Sequence, residues 1–295
     1  MRSLFVKGVS PAGARLWLLI TGILWSTSGI LIKLIPWNPM AISALRSLIA
    51  AAVLWAYMRP KRIRFNKRTI AGGIFLGLCL TAFVAANKLT TSANAIMLQY
   101  TSPIFTLVLS ALILKTSIKK SDIAIMLMAM GGIALFFFEK LTAGGMAGNL
   151  LALFSGISYS FVYILCSRFG DDAIHGLFLG NMLSFVIGLP FIIADPPSFT
   201  ATSAAALVGM GIFQLGLPYV IFGEVMRYST PFDATIITMI EPLLNPVWVF
   251  AFTGETPGAL AITGGVIVLA AIVVKAWLGA NPGNGKEQPI INSEE

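Results

Sequence analysis

The chain has 295 residues, of which 57% are hydrophobic and 11% charged, with a mean hydropathy of +0.87 and a formal net charge of +8. Few soluble domains have this balance, and it points to the lipid bilayer as the solvent for most of the chain. The two cysteines, Cys79 and Cys166, lie inside apolar runs, which excludes a disulfide framework or a cysteine metal site and reads as buried free thiols.

Taken in order, the apolar runs are Leu16 to Leu34, Met40 to Met58, Ile70 to Asn87, Ala93 to Leu114 and Ile123 to Phe138. After a glycine-rich break at Gly144 to Gly148 come Asn149 to Cys166, Ile174 to Ala194, Ala204 to Met226, Phe232 to Phe252 and Gly258 to Trp277. Each is near the roughly 20 residues that an α-helix needs to cross a bilayer, so the sequence predicts an all-α, polytopic integral membrane protein with ten transmembrane helices. The basic, apolar start from Met1 to Leu34 lacks a small-residue cleavage site and is read as the first span rather than a removable signal.

Basic residues in short loops stay cytoplasmic, and their placement here is asymmetric. Arg2, Lys7 and Arg15 precede span one; Arg59, Lys61, Arg62, Arg64, Lys67 and Arg68 follow span two; Lys115, Lys119 and Lys120 follow span four. With Arg168, Arg227, Lys275 and Lys286 these are 16 residues on one side, against Lys33, Lys88 and Lys140 on the other and Arg46 within a span. Both termini are therefore predicted to be cytoplasmic, in a bacterial-type inner (plasma) membrane. The net positive charge belongs to loop flanks beside lipid headgroups, not to a nucleic-acid surface, and no nucleic-acid motif accompanies it.

A shift of 139 residues aligns Gly77 with Gly216, Phe83 with Phe222, Lys88 with Arg227, Thr91 with Thr230 and Pro103 with Pro242. A shift of 134 lays Gly22-Ile23 on Gly156-Ile157, Trp25 on Tyr159 and Ser26 on Ser160. These matches divide the chain into two five-helix units, 13–140 and 146–280, followed by a cytoplasmic tail, 281–295. Because five is odd, the second copy enters the bilayer upside down. Inverted repeats of this kind are the logic of secondary transporters, whose site lies at the midplane between the repeats.

Span nine carries the strongest chemical signal. ATIITMIEPLLNPVWVFAF, from Ala234 to Phe252, holds one carboxylate, Glu241, near its middle. At about 1.5 Å per residue the stretch covers the hydrocarbon core, where a charge costs about 2.5 to 3.5 kcal/mol on insertion scales. Pro242 and Pro246 cannot bond back to the carbonyls of Thr238 and Pro242, and non-helical backbone at this depth persists only against protein or water. Thr238, Glu241, Asn245 and Trp248 share one side of the helix. Two readings stand: a kinked packing helix with a neutral, hydrogen-bonded acid, or the wall of a cavity. In span four Gln99, Ser102 and Thr106 repeat the spacing, which predicts a facing polar stripe unless these groups bond back to their own helices. Trp25, Tyr159, Tyr163 and Tyr219 fall well inside their spans, although such residues usually gather at the interface. They suit either a flat amphipathic substrate or gap filling. Arg46 is an interfacial anchor, snorkelling outward, or the partner of an acid. Glu224 reads as a solvated terminal pair with Arg227, and the Gly73/Gly77 and Gly176/Gly180 pairs as close helix packing.

Several motifs resemble the drug/metabolite transporters with paired EamA-type domains: GILWSTSGILIKL in span one, Arg46 within ISALRSLIAA, QYTSPIFTLVLSALILK in span four, and IEPLLNPVWVFAFTGETPGALAITGG in spans nine and ten. The branch most similar is that of the amino-acid exporters, aromatic ones especially. The first repeat departs from the second in having Ser102 before Pro103 where the second has Glu241 before Pro242, and Lys115-Thr116 where the second has Gly254-Glu255. The resemblance implies alternating access around a cavity lined by spans one, three, four, six, eight and nine. It also implies a substrate site drawn from Trp25, Ser26, Gln99, Ser102, Tyr159, Tyr163, Tyr219, Thr238, Glu241, Asn245 and Trp248, with Pro103, Pro218, Pro242 and Pro246 as helix kinks. The expected partners are a small-molecule substrate, with neutral or aromatic amino acids first, the lipid bilayer, and protons as a candidate coupling ion; no cofactor or metal is expected. Export of other metabolites or drugs, or a channel-like facilitator, is the alternative. An intramembrane enzyme lacks support, since the lone His175 lies at a loop edge and neither an HExxH nor a nucleophile-elbow motif occurs. No P-loop is present to couple ATP.

Overall fold

The computed structural model describes residues 9–58, 63–141, 143, 145–253 and 258–280, with backbone alone at positions 29, 33, 246, 249, 253 and 280. Arg2, Lys7, Arg59, Lys61, Arg62 and Lys286, the Gly254-Glu255 pair, the Pro246 side chain and the tail 281–295 lie outside the described residues. Among those described the secondary structure is entirely helical, and ten helical stretches have the length and hydropathy to cross a membrane.

Span one is α1 (Pro11–Trp25) followed by α2 (Ser28–Lys33), span two α3 (Pro39–Met58) and span three α4 (Lys67–Leu89). Span four divides into α5 (Ser92–Gln99) and α6 (Ser102–Ile113), and span five is α7 (Lys120–Phe137). The next two are α8 (Met146–Arg168) and α9 (Gly170–Ala194). Span eight runs as α10 (Ala201–Gly209), a π-helical turn Met210–Gly216, and α11 (Leu217–Val225). Span nine divides into α12 (Pro231–Thr238) and α13 (Ile240–Thr253), and α14 (Ala259–Ala280) ends the bundle.

Local chemistry accounts for these boundaries. Thr91 caps α5 by accepting from the Asn94 amide at 3.2 Å, and Thr230 caps α12 by accepting from the Asp233 amide at 3.1 Å; a side-chain oxygen there satisfies one of the orphan donors of a helix start. These two positions are 139 apart. Pro103 and Pro242 each stand in the first turn of a new segment, α6 and α13, where a missing N–H leaves no helix bond unmade. Pro218 follows the π-helical turn directly, in helix that continues from Met210 to Val225, and there its missing N–H frees an upstream carbonyl. In span nine the break falls at Met239, and the backbone of α13 continues helically through position 246. Ser26 and Thr27 interrupt span one by bonding back to the carbonyls of Ile23 and Leu24 at 2.6 and 2.8 Å, the competition with the helix expected of hydroxyl side chains.

The broken helices are crossed at close range. A Cβ at Gly22 would stand 3.3 Å from the Thr238 carbonyl oxygen, and one at Gly156 only 2.7 Å from that of Gln99. The first span of each half thus lies against the break in the fourth span of the other, at residues related by the two sequence shifts. Gly73 lies against Leu179 and Gly180, and Gly176 against Thr69 and Gly72, so these pairs seam α4 to α9. Beside two smaller clusters around Met210 and Ala95, two large apolar cores form among the described residues. One joins α1, α3, α4, α8, α9, α11 and α12; the other joins α6, α7, α12, α13 and α14. Leu112, Leu127, Val266, Val273 and Trp277 are among the large apolar side chains left exposed, as a lipid-facing surface requires. Cys79 and Cys166 are both buried and free.

Two placements differ from the sequence reading. Lys275 is no headgroup-facing flank. Its Nζ is buried, 2.7 Å from Asp122 and 2.7 Å from Asp233, and Arg15 joins the same group at 4.0 Å from Asp233. Arg227 pairs with Asp171 at 2.8 Å and not with Glu224, because the start of α9 lies closer to its guanidinium than the neighbouring turn of α11 does.

Candidate functional site

The side chains around the Met239 break define the candidate site. Trp25 at the end of α1 is its hub, with ring centroids 6.1 Å from Tyr159, 5.7 Å from Tyr219 and 5.6 Å from Phe222. Tyr163 continues the cluster, 4.7 Å from Tyr159 and 5.2 Å from Phe222 in an edge-on contact. Tilted and edge-to-face geometries of this kind contribute about 0.5–1.5 kcal/mol per pair beyond area burial. The rings come from spans one, six and eight, so the cluster joins both halves of the chain.

Glu241 stands in the first turn of α13, half-buried, with its carboxylate interacting with the Tyr100 hydroxyl and, through charge, with Arg46. It is also within electrostatic reach of Tyr159, Tyr163 and Tyr219. Asn245 and Trp248 follow on the same side of α13, both half-buried. The Trp248 indole donates to the Ser26 hydroxyl at 2.8 Å, tying α13 to the interruption in span one.

Several of the polar residues expected to line the site are instead engaged in structure. Gln99 donates to Ser155 at 2.7 Å and reaches the Cys79 sulfur at 3.8 Å, so its amide ties α5 to α8 and α4. Thr238 shares a 2.6 Å hydrogen bond with the Tyr163 hydroxyl and bonds back to the Ala234 carbonyl at 2.9 Å. Thr106 accepts from Thr235 at 3.3 Å, and the buried Ser102 offers its carbonyl to Ser160 at 3.0 Å. Among the described residues, then, two facing polar stripes do not form one free surface. On span four the Gln99 and Thr106 side chains and the Ser102 carbonyl are taken by helix-to-helix bonds, while the Glu241 carboxyl lies within electrostatic range of Tyr100 and Arg46.

Two side chains near this acid were not among the expected site residues. Tyr100 follows Gln99 at the break in span four, and Arg46 comes from span two, outside the expected lining. Arg46 does not snorkel to an interface; it is 8% exposed and its Nε has no hydrogen-bond partner. Gln214, in the π-helical turn, donates to the Trp25 carbonyl at 3.4 Å while its own amide oxygen remains unbonded. A π-turn often marks a functional stretch of helix, and the glycines at 209, 211 and 216 with Pro218 are the sequence signal for this one.

Ten membrane-length helices, of which spans one and nine are broken beside an acid and a ring cluster, define a polytopic membrane carrier class in which irregular backbone is tolerated against a protein-enclosed site. Sequence comparison supplies the family. The chain belongs to the EamA-like transporter family, whose profile matches residues 13–138 and 146–276; it is a multi-pass membrane transporter. An uncharacterized transporter of Archaeoglobus fulgidus is 23% identical over 262 residues, covering 88% of this chain and 94% of that one. The threonine/homoserine exporter RhtA of Salmonella typhimurium is 25% identical over 258 residues, covering 81% and 80%. The pseudopaline exporter CntI of Pseudomonas aeruginosa is 23% identical over 238 residues, covering 77% and 82%. A crystal structure of a protein 18% identical superposes with a TM-score of 0.80, covering 91% of this chain and 99% of its own, a likeness of fold.

Proposed function

We propose that this transporter exports neutral amino acids, aromatic ones included, by alternating access around the Glu241 site. The observation that carries the reading is an intramembrane carboxylate, Glu241, in the first turn of α13 just past Thr238, whose hydroxyl shares a 2.6 Å hydrogen bond with Tyr163 of the ring cluster of Trp25, Tyr159, Tyr163 and Tyr219. A carboxylate in this position pairs with the ammonium of an amino acid, and the rings stack on its side chain. The names of two relatives, exporters of threonine and homoserine and of pseudopaline, agree with a small polar cargo that leaves the cell.

In this reading the two units, 13–140 and 146–280, are inverted repeats that rock against each other about the glycine crossings at Gly22 and Gly156. Both termini face the cytoplasm of a cell with a bacterial-type inner membrane, and protons are the candidate coupling ion through Glu241. The substrate class is tested with the purified protein in detergent. L-phenylalanine and L-threonine are expected to raise its melting temperature in a saturable manner, and a nucleotide sugar is expected to leave it unchanged. Stabilisation by the nucleotide sugar and by neither amino acid overturns the assignment.

A further inference from the structure

Arg46 poses a problem that the ammonium-binding acid does not solve. A guanidinium buried in a bilayer-spanning bundle is costly unless it is paired and hydrogen-bonded, yet among the described residues no carboxylate oxygen lies within 4.0 Å of it. Its Nε is unbonded, and its electrostatic neighbours are Tyr219 and Glu241. Arg46 lies one turn before Ile49 and two before Val53 on α3, the side chains that meet Gly211 and Gly216, so its helix packs directly on the π-helical turn that carries Gln214. Glu241 is within electrostatic range of the guanidinium but does not close an ion pair on it. Two further buried polar atoms of the same region are unsatisfied: Nε1 of Trp25, whose ring meets Tyr219, and Oε1 of Gln214, whose amide holds the Trp25 carbonyl. Buried polar groups are normally hydrogen-bonded. A cation and an anion held apart, with a spare donor and a spare acceptor beside them, form the complement of a zwitterion.

Resting on the amino-acid reading above, we propose that Arg46 is the carboxylate-binding residue of the transport site. The guanidinium takes the substrate carboxylate through its planar fork while Glu241 takes the ammonium. The site then selects intact α-amino acids and rejects their amides and decarboxylated amines, which leave Arg46 buried and unpaired.

The test is counterflow in proteoliposomes holding the full chain, with L-phenylalanine, L-phenylalaninamide and 2-phenylethylamine as competing substrates. The wild type is expected to prefer the acid over both analogues by about 10- to 100-fold in half-saturation, the scale of a hydrogen bond to a charged group. In Arg46→Gln that preference is expected to vanish, with the half-saturation for phenylalanine raised and that for the amide little changed. Arg46→Lys keeps the charge but not the fork, and an intermediate preference is expected; it also carries the test if the glutamine variant does not fold. Equal handling of acid and amide by the wild type overturns the role of Arg46 and leaves the amino-acid reading standing. So does an equal loss of both substrates in the variants, which marks Arg46 as structural. A folded wild type that exchanges none of the three, nor threonine, overturns the amino-acid reading itself and this inference with it.

Discussion

Glu241→Gln is expected to give normally expressed, folded protein whose transport of neutral amino acids is reduced about 10- to 100-fold, the contribution of one charge-assisted hydrogen bond. Glutamine retains the size of the acid and a hydrogen-bonding carbonyl, so the fold has little reason to change. It cannot carry a charge or release a proton. Two kinds of impairment are distinguishable. Loss of flux driven by a pH gradient, with exchange retained, means that Glu241 carries the coupling proton; weakened substrate binding at every pH means that it recognises the ammonium. Transport at the wild-type rate and affinity from pH 5 to pH 8 makes Glu241 a packing residue.

The second large effect concerns stability. Lys275→Met is expected to destabilise the protein by about 3–5 kcal/mol, because it strands the buried carboxylates of Asp122 and Asp233, each 2.7 Å from the ammonium in the folded chain. Arg15 cannot take over both. It is 4.0 Å from Asp233, and its guanidinium is already bonded to the Gly279 carbonyl at 2.8 Å. The network joins the starts of α1, α7 and α12 to the end of α14, so its failure loosens both halves at one end of the bundle. Melting of the purified variant should fall by on the order of 10 °C, with Asp122→Asn showing a smaller drop. A variant that melts with the wild type shows that the network contributes no net stability.

The number and placement of the spans were legible because hydropathy over roughly 20 residues is a property of one helix alone. So were two of the breaks. Pro103 and Pro242 advertise interruptions, and Thr91 and Thr230 mark the starts of α5 and α12 as helix caps. The interruption at Ser26 and Thr27 has no proline; its signal is the run STSG, weaker because hydroxyl side chains also sit quietly in helices. Glu241 stood out for the cost of a charge at the midplane.

What sequence could not decide was which neighbour each polar group meets. Gln99 has the right spacing to face Glu241, yet Ser155 and Cys79 take its amide. Arg46 could be an anchor or a partner until its burial was known, and Tyr100 was hidden at the position that corresponds to Met239 under the 139-residue shift. Arg15, Asp122, Asp233 and Lys275 are scattered along the chain, and helical periodicity says which face a residue occupies without saying which helix lies opposite.

Counterflow of labelled L-phenylalanine into liposomes holding the purified protein and preloaded with unlabelled amino acid tests alternating access through the Glu241 site most directly. The expected result is a transient accumulation of label above equilibrium that saturates with concentration and is impaired in Glu241→Gln. Flux of label that rises linearly with concentration and shows no overshoot would contradict alternating access, and an overshoot together with pH-gradient-driven uptake both identical in the wild type and the glutamine variant would contradict the role of Glu241.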